Sequence, residues 1–230
     1  MKNLLIKVIE KIRGDNFEMD KDIPLSYLLW EVFIKRLIML IRGFIIFKKI
    51  KHILFIDADC KFSCRKRFFF RGSITIANNC FIDALSKDGI VFGNNISIGK
   101  NTTIECSGSL KFLGKGLVVG NNVGLGTHGF FGCAGGVEIG DDTIFGNFVS
   151  LHSENHNYSD SNTLIRLQGV NRKGIKIGNN CWIGAKATIL DGAIIEDGCI
   201  IAAGSLVTEG IYLANIIYGG VPAKFIKKRF

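Results

Sequence analysis

From residue 74 onward the apolar positions recur every six residues. Phe92-Gly93, Ile98-Gly99 and Ile104-Glu105 form one set, Val119-Gly120 and Leu125-Gly126 a second, and Ile139-Gly140, Phe145-Gly146 and Leu151-His152 a third. The last set is unbroken: Ile177-Gly178, Ile183-Gly184, Ile189-Leu190, Ile195-Glu196, Ile201-Ala202 and Val207-Thr208. Ile74 and Cys80 lie in phase with Phe92, which starts the pattern near residue 72.

A period of six matches neither the 3.6 of a helix nor the strict alternation of a two-sided strand. It fits a strand of three or four residues followed by a two-residue corner. Glycine and asparagine, as in Gly93-Asn94-Asn95 and Gly178-Asn179-Asn180, suit the backbone angles a corner needs. One aliphatic residue per repeat points inward, three sides close a triangular coil, and each coil pairs its strands with the next, so no repeat is stable alone. An ordinary β-sandwich would place its turns every 8–12 residues instead.

The N-terminal part has a different rhythm. Leu5, Ile9 and Ile12 are spaced as one face of a short amphipathic helix over residues 1–13. In the mostly apolar segment 26–49, Glu31, Lys35, Arg42 and Lys49 fall within roughly 40° of one another at about 100° per residue. This predicts an apolar helix with a narrow polar stripe. Its uninterrupted apolar runs are shorter than the ~18 residues of a spanning helix. Two placements follow: a helix lying in a membrane interface, or one packed on the body of the protein or on a partner subunit. The division is therefore 1–71, a basic helical segment, and 72–230, a repeat domain.

Charge sharpens that division. Residues 1–71 hold 16 Lys/Arg against 8 Asp/Glu, whereas residues 72–230 hold 13 against 12. The net +9 thus belongs to the first third, where apolar and basic residues together suit an anionic membrane leaflet. No nucleic-acid motif or spaced aromatic platform accompanies it. The 28 glycines against two prolines argue for tight turns rather than disorder. Seven cysteines, an odd number without a CxxC pair, read as small buried hydrophobes in a reducing compartment. The N-terminal residues lack the continuous apolar stretch of a secretion signal, so a cytoplasmic location is expected.

The repeat breaks after Leu151 and resumes at Ile177, leaving an excursion over 152–176 that carries His152 and His156. Long loops on rigid scaffolds are disproportionately functional. Histidine is the usual residue for a base working near neutral pH. There is no G-x-S-x-G elbow, which argues against an activated serine nucleophile.

The stretch Ile177–Lys228, IGNNCWIGAKATILDGAIIEDGCIIAAGSLVTEG…GGVPAKFIKK, resembles the C-terminal pattern of the hexapeptide-repeat acyltransferases, including sugar O-acetyltransferases. The resemblance covers about residues 72–230. It implies a left-handed parallel β-helix, with an N-terminal α-helical segment and a short basic C-terminal extension added here. It also implies a homotrimer, acetyl-CoA as co-substrate in a groove between coils, and no metal. His156 resembles the family's catalytic histidine, with Glu154 or Asp160 as candidates to orient it. Ala185, Ala203 and Thr208 match positions that meet the pantetheine arm, and Lys224 and Lys227 are placed to pair with CoA phosphates. Glu209 stands where the family usually has lysine. His128, His152 and Asp160 are candidates for the acceptor side, although His128 and His152 equally suit corner packing. The stretch GLGTHGFFGCAGG around His128 departs from the familiar sugar acetyltransferases and leaves the acceptor open.

The expected function is thus O-acetylation of a sugar hydroxyl in surface polysaccharide biosynthesis, with a sugar or lipid-linked saccharide as acceptor. The N-terminal segment would make a peripheral contact with the inner face of the cytoplasmic membrane. Two other readings share the coil: a non-catalytic trimeric scaffold or membrane-binding module, and a γ-type carbonic anhydrase. The latter needs three histidines converging on zinc, and His128, His152 and His156 lack its spacing.

Overall fold

The structure, a computed structural model, describes residues 6–7, 19–20 and 22–230. Apart from Ile6 and Lys7, the helix read over 1–13 lies outside the described residues. From Leu54 onward the chain winds into a three-sided column of parallel strands. The first face runs through Leu54–Ile56, Ile74–Ile76, Ile96–Ile98, Gly124–Leu125, Ile144–Phe145, Trp182–Ile183, Ile200–Ile201 and Ile216–Gly219. The second holds Lys61–Ser63, Phe81–Asp83, Thr103–Glu105, Phe130–Gly132, Ser150–His152, Thr188–Leu190 and Leu206–Val207. The third runs from Phe68–Phe70 through Ile90–Phe92, Leu117–Val119, Val137–Ile139, Ile175–Ile177 and Ala193–Ile195 to Gly210–Tyr212.

Each repeat contributes its aliphatic residue to the interior and, two positions earlier, a second inward residue that is often small. Cys181/Ile183, Ala187/Ile189, Ala193/Ile195 and Cys199/Ile201 are such pairs, all buried. Alternation along a strand puts both on one side. Several small residues also satisfy corner backbone. Thr143 Oγ1 donates to the Gly178 carbonyl at 2.9 Å, Cys80 Sγ to Gly99 at 3.2 Å and Cys181 Sγ to Glu196 at 3.3 Å. Five of the seven cysteines are buried, and Cys64 is exposed.

The corners divide their labour more finely than a Gly-Asn pattern suggests. Asparagine takes the left-handed conformation, at φ 57° for Asn95 and 53° for Asn180. Gly93 serves proximity instead: a Cβ there would stand 2.2 Å from the Gly120 carbonyl oxygen of the next coil. Asparagines also bond along the column, Asn95 Nδ2 to Asn122 Oδ1 at 3.0 Å and Asn122 Nδ2 to Asp142 Oδ1 at 2.9 Å.

The coil begins one turn upstream of residue 72. Leu54–Ile56 pairs with Ile74–Ile76, Lys61–Ser63 with Phe81–Asp83 and Phe68–Phe70 with Ile90–Phe92. Ile74 and Cys80 occupy the earlier inward position of their strands, with Ile76 and Ile82 at the aliphatic one.

A helical segment closes the open upstream end. It comprises α1 (Leu25–Tyr27), a π-helical stretch (Leu28–Ile34) and α2 (Lys35–Phe47). Phe47 enters the first coil and meets Phe62, Phe68 and Phe70 edge-on at 5.1–5.2 Å. Gly43 lies so close to Leu54 that a Cβ would stand 2.0 Å from its carbonyl oxygen. The polar stripe faces the column. Lys35 Nζ lies 3.5 Å from an Asp57 oxygen, Arg42 donates to the Ile56 carbonyl at 3.1 Å and Lys49 to the Phe68 carbonyl at 2.8 Å. Among the described residues, no helix is long and apolar enough to cross a membrane.

Candidate functional site

The second face leads to the excursion. His152 ends its fifth strand, opposite Gly132 on one side and Leu190 on the other. Its ring lies 5.4 Å from that of Phe130. Partial burial pushes the imidazole below its ordinary value near 6.5, which keeps it neutral at pH 7. The chain then leaves the column. Ser153 anchors the exit by donating to the Gly132 carbonyl and accepting from the Gly135 N–H, at 2.8 and 2.9 Å. Buried Asp191 anchors the return by accepting from the Lys173 and Gly174 N–H groups at 2.9 and 2.7 Å.

Between these anchors Asn155–His156 pairs antiparallel with Val170–Asn171, with His156 opposite Val170. His156 is exposed on this small hairpin, held by backbone pairing rather than by a carboxylate. Both candidates to orient it are committed elsewhere. Glu154 pairs with Arg172, which also donates to the Leu113 and Phe112 carbonyls at 2.9 and 2.8 Å. Asp160 accepts from the Asn162 N–H and the Thr163 hydroxyl, at 2.9 and 2.7 Å, which hold its carboxyl below the usual range. It belongs to a turn that, with Tyr158, Ile165 and Gln168, lines a hollow of about 560 Å³ on the excursion.

His128 sits at a column corner, away from the hairpin. Its φ is 57°, Nε2 lies 2.8 Å from Asn101 Nδ2, and its ring stacks on Phe148 at 4.7 Å. Asn101 accepts from Asn79 in turn, so His128 extends a corner ladder. Its Nδ1 is buried with no hydrogen-bond partner among the described residues.

The residues that resemble CoA contacts lie on two different corners of the column and on its last strand. Ala185 and Ala203 occupy the corner between the first and second faces in successive coils, where the Gly204 N–H donates to the Ala185 carbonyl at 2.8 Å. Gly184 fits beneath the next turn only without a Cβ, which would meet the Ala203 nitrogen at 2.5 Å. Thr208 lies at the corner between the second and third faces. Its backbone is occupied by Tyr212, whose hydroxyl accepts from the Thr208 N–H at 3.0 Å and donates to its carbonyl at 3.2 Å.

Lys224 and Lys227 lie on an exposed strand, Lys224–Lys228, antiparallel to Ile216–Gly219. Residues three apart on a regular strand point to opposite sides. An irregularity at Ile217/Tyr218 sets Lys224 opposite Gly219 and Lys227 opposite Ile217, which returns both lysines to one side. Glu209 accepts from Lys173 Nζ at 2.6–2.7 Å, so its charge is neutralised locally. Arg172, Lys173 and Asp191 are the residues sequence reasoning missed. The charged run Arg172-Lys173 beside the resumption of the repeat was the available signal.

Column, period and excursion define a class, the three-sided β-helix built of hexapeptide repeats. Residues 174–209 match the family model described as bacterial transferase hexapeptide (six repeats). The column is thus, in its fold, a left-handed β-helix of hexapeptide repeats. A search of curated protein sequences returns no relative. Among solved structures it is similar to a mutant form of AntD, an N-acyltransferase from Bacillus cereus, in complex with dTDP and coenzyme A. The TM-score is 0.57 and the identity 20%, over 71% of this chain and 84% of that one. A second mutant form of AntD from the same organism, in complex with dTDP-4-amino-4,6-dideoxyglucose and coenzyme A, aligns with a TM-score of 0.50 and 15% identity. The alignment covers 76% of this chain and 82% of that one. At these identities the likeness is one of fold.

Proposed function

We propose that the chain is an acyltransferase moving an acetyl group from acetyl-CoA to a saccharide hydroxyl, in the assembly of a surface polysaccharide. The observation that carries this reading is the edge formed by Ala185 and Ala203, which borders a face ending in the His156 excursion. Coils stack about 4.8 Å apart, so the run of corners from Gly146 through Ala185 and Ala203 to Gly220 offers about 14 Å for an extended pantetheine arm. Small residues let the arm approach the backbone, and Lys224 and Lys227 stand beyond that run for its phosphates. The complexes of AntD with coenzyme A support a CoA-linked co-substrate.

In the proposed step His156 takes the proton of the acceptor hydroxyl as the oxygen attacks the thioester carbonyl. Backbone N–H groups at the coil edge stabilise the tetrahedral oxyanion. The intermediate collapses as the C–S bond breaks, and the imidazolium returns its proton to the departing thiolate. Ala185 and Ala203 lie on one corner of the second face, while the His156 hairpin leaves from the other. A homotrimer that brings one chain's alanine corner to the next chain's hairpin completes the site between subunits. His152 and Phe130 on the second face, and the Asp160 turn, flank the acceptor side. The acceptor is a sugar or lipid-linked saccharide, met by an enzyme working peripherally on the inner membrane face.

Measuring CoA thiol release from acetyl-CoA across a panel of free, nucleotide-linked and lipid-linked saccharides tests the reading. Amino sugars belong in the panel, because one of the AntD complexes holds one. Release dependent on a hydroxyl acceptor supports the proposal, release with amino sugars alone replaces the hydroxyl by an amine, and no release with any acceptor contradicts it.

A further inference from the structure

Between Tyr27 and Phe47 the usual polarity of a surface helix is reversed. Every exposed side chain in this stretch is apolar, with Trp30, Leu37, Ile41, Phe44 and Ile45 each more than half exposed. The charged groups are turned toward the column. Glu31 pairs with Lys35 at 3.0 Å, Lys35 and Arg42 lie against Asp57, and Arg36 donates to Thr75 at 2.8 Å with its guanidinium 5.0 Å from the Phe55 ring centre. A helix that merely caps the column would bury its apolar side, as Met39 and Phe47 do, and hydrate the other. An apolar strip this continuous marks a surface that meets something other than water.

The charge around the strip selects the occupant. Residues 48–71 hold eight Lys/Arg against two Asp/Glu, and one of the two acids, Asp57, already faces Lys35 and Arg42. Lys48 and Lys51 follow α2 directly and are exposed, and so are Arg65 and Lys66 at the adjoining corner. Arg65 donates to the Ile46 carbonyl at 3.1 Å, which sets that corner beside the end of the helix. An apolar face bordered at its C-terminal end by lysine and arginine is complementary to a bilayer with anionic headgroups, where apolar side chains enter the acyl boundary and cations stay among the phosphates.

We infer that the segment Tyr27–Phe47, lying over the upstream end of the column, docks the protein on an anionic lipid bilayer through its outward apolar face. The column then stands with this end toward the membrane, and the excursion and C-terminal lysines lie several coils away. This rests on the peripheral-membrane part of the reading above and not on its chemistry.

Sedimentation of the full chain with phospholipid vesicles, in the absence of acetyl-CoA, tests the inference apart from catalysis. Vesicles containing about one third phosphatidylglycerol are expected to bind at least tenfold more tightly than pure phosphatidylcholine, with affinity falling as salt rises. Ile41→Glu/Phe44→Glu is expected to lower binding at least tenfold, with unchanged circular dichroism and thermal midpoint because both side chains are exposed. Lys48→Gln/Lys51→Gln is expected to lower binding to the anionic vesicles alone. Failure to bind both kinds of vesicle overturns the inference. So does a double-glutamate variant that binds vesicles as before but loses self-association in ultracentrifugation, which would assign the face to a second copy of the chain.

Discussion

A left-handed corner asks two things of its residue: tolerance of positive φ and a side chain able to reach the next coil. Asn122 meets both, at φ 56° and with its amide between Asn95 and Asp142. Alanine keeps the strain and loses the bonds, so Asn122→Ala is expected to destabilise by about 1–3 kcal/mol in urea unfolding, with Asn122→Gly recovering part of this. His152 makes a separate prediction. Burial lowers its folded pKa below about 6.5, so the unfolded chain binds the proton more readily. Its contribution to stability is present above pH 6.5 and is lost as pH falls toward the folded value. His152→Gln should therefore reduce the fall in thermal midpoint between about pH 7.5 and 5.5. Residue-level legibility was uneven. The cysteines read correctly as mostly small interior residues, because an odd scattered set fits little else. His128 could not be resolved, because Phe148, on which it stacks, belongs to the corner of the next coil.

At the scale of elements, the excursion is held by its ends rather than by packing along its length. Arg172 joins Glu154 to the Phe112 and Leu113 carbonyls, tying the hairpin to a loop of an earlier coil. Arg172→Ala leaves Glu154 without its partner. The expected result is faster proteolysis within 157–169 and a kcat reduced about tenfold or more by misplacement of His156, while CoA affinity changes little. The strands were legible wherever a Gly-Asn corner marks each turn. The first coil was not, because Asp57-Ala58-Asp59 and Cys64-Arg65-Lys66 replace those corners and Phe62, Phe68 and Phe70 stand for aliphatics. The stripe on the capping helix was visible, but its direction was not, since Asp57 and the carbonyls that receive it belong to the column.

For the whole molecule, the column spaces three features along its length. The upstream end carries the inverted helix, the fifth coil sends out the His156 hairpin, and the last coils present the alanine corner and the paired lysines. Stacked coils pass load only to their neighbours, so the distances between these regions are set by the number of turns between them. The architecture was readable from the six-residue period, most clearly in the C-terminal stretch, where residues 174–209 match the family model. The proposed sharing of a site between subunits is beyond what one chain's sequence spacing dictates. The most direct measurement compares acetyl transfer and CoA binding in the native chain and in His156→Ala. With His156 as the base, kcat is expected to fall by about 10²–10⁴ while CoA binds with unchanged affinity. An undiminished kcat in His156→Ala would contradict that role.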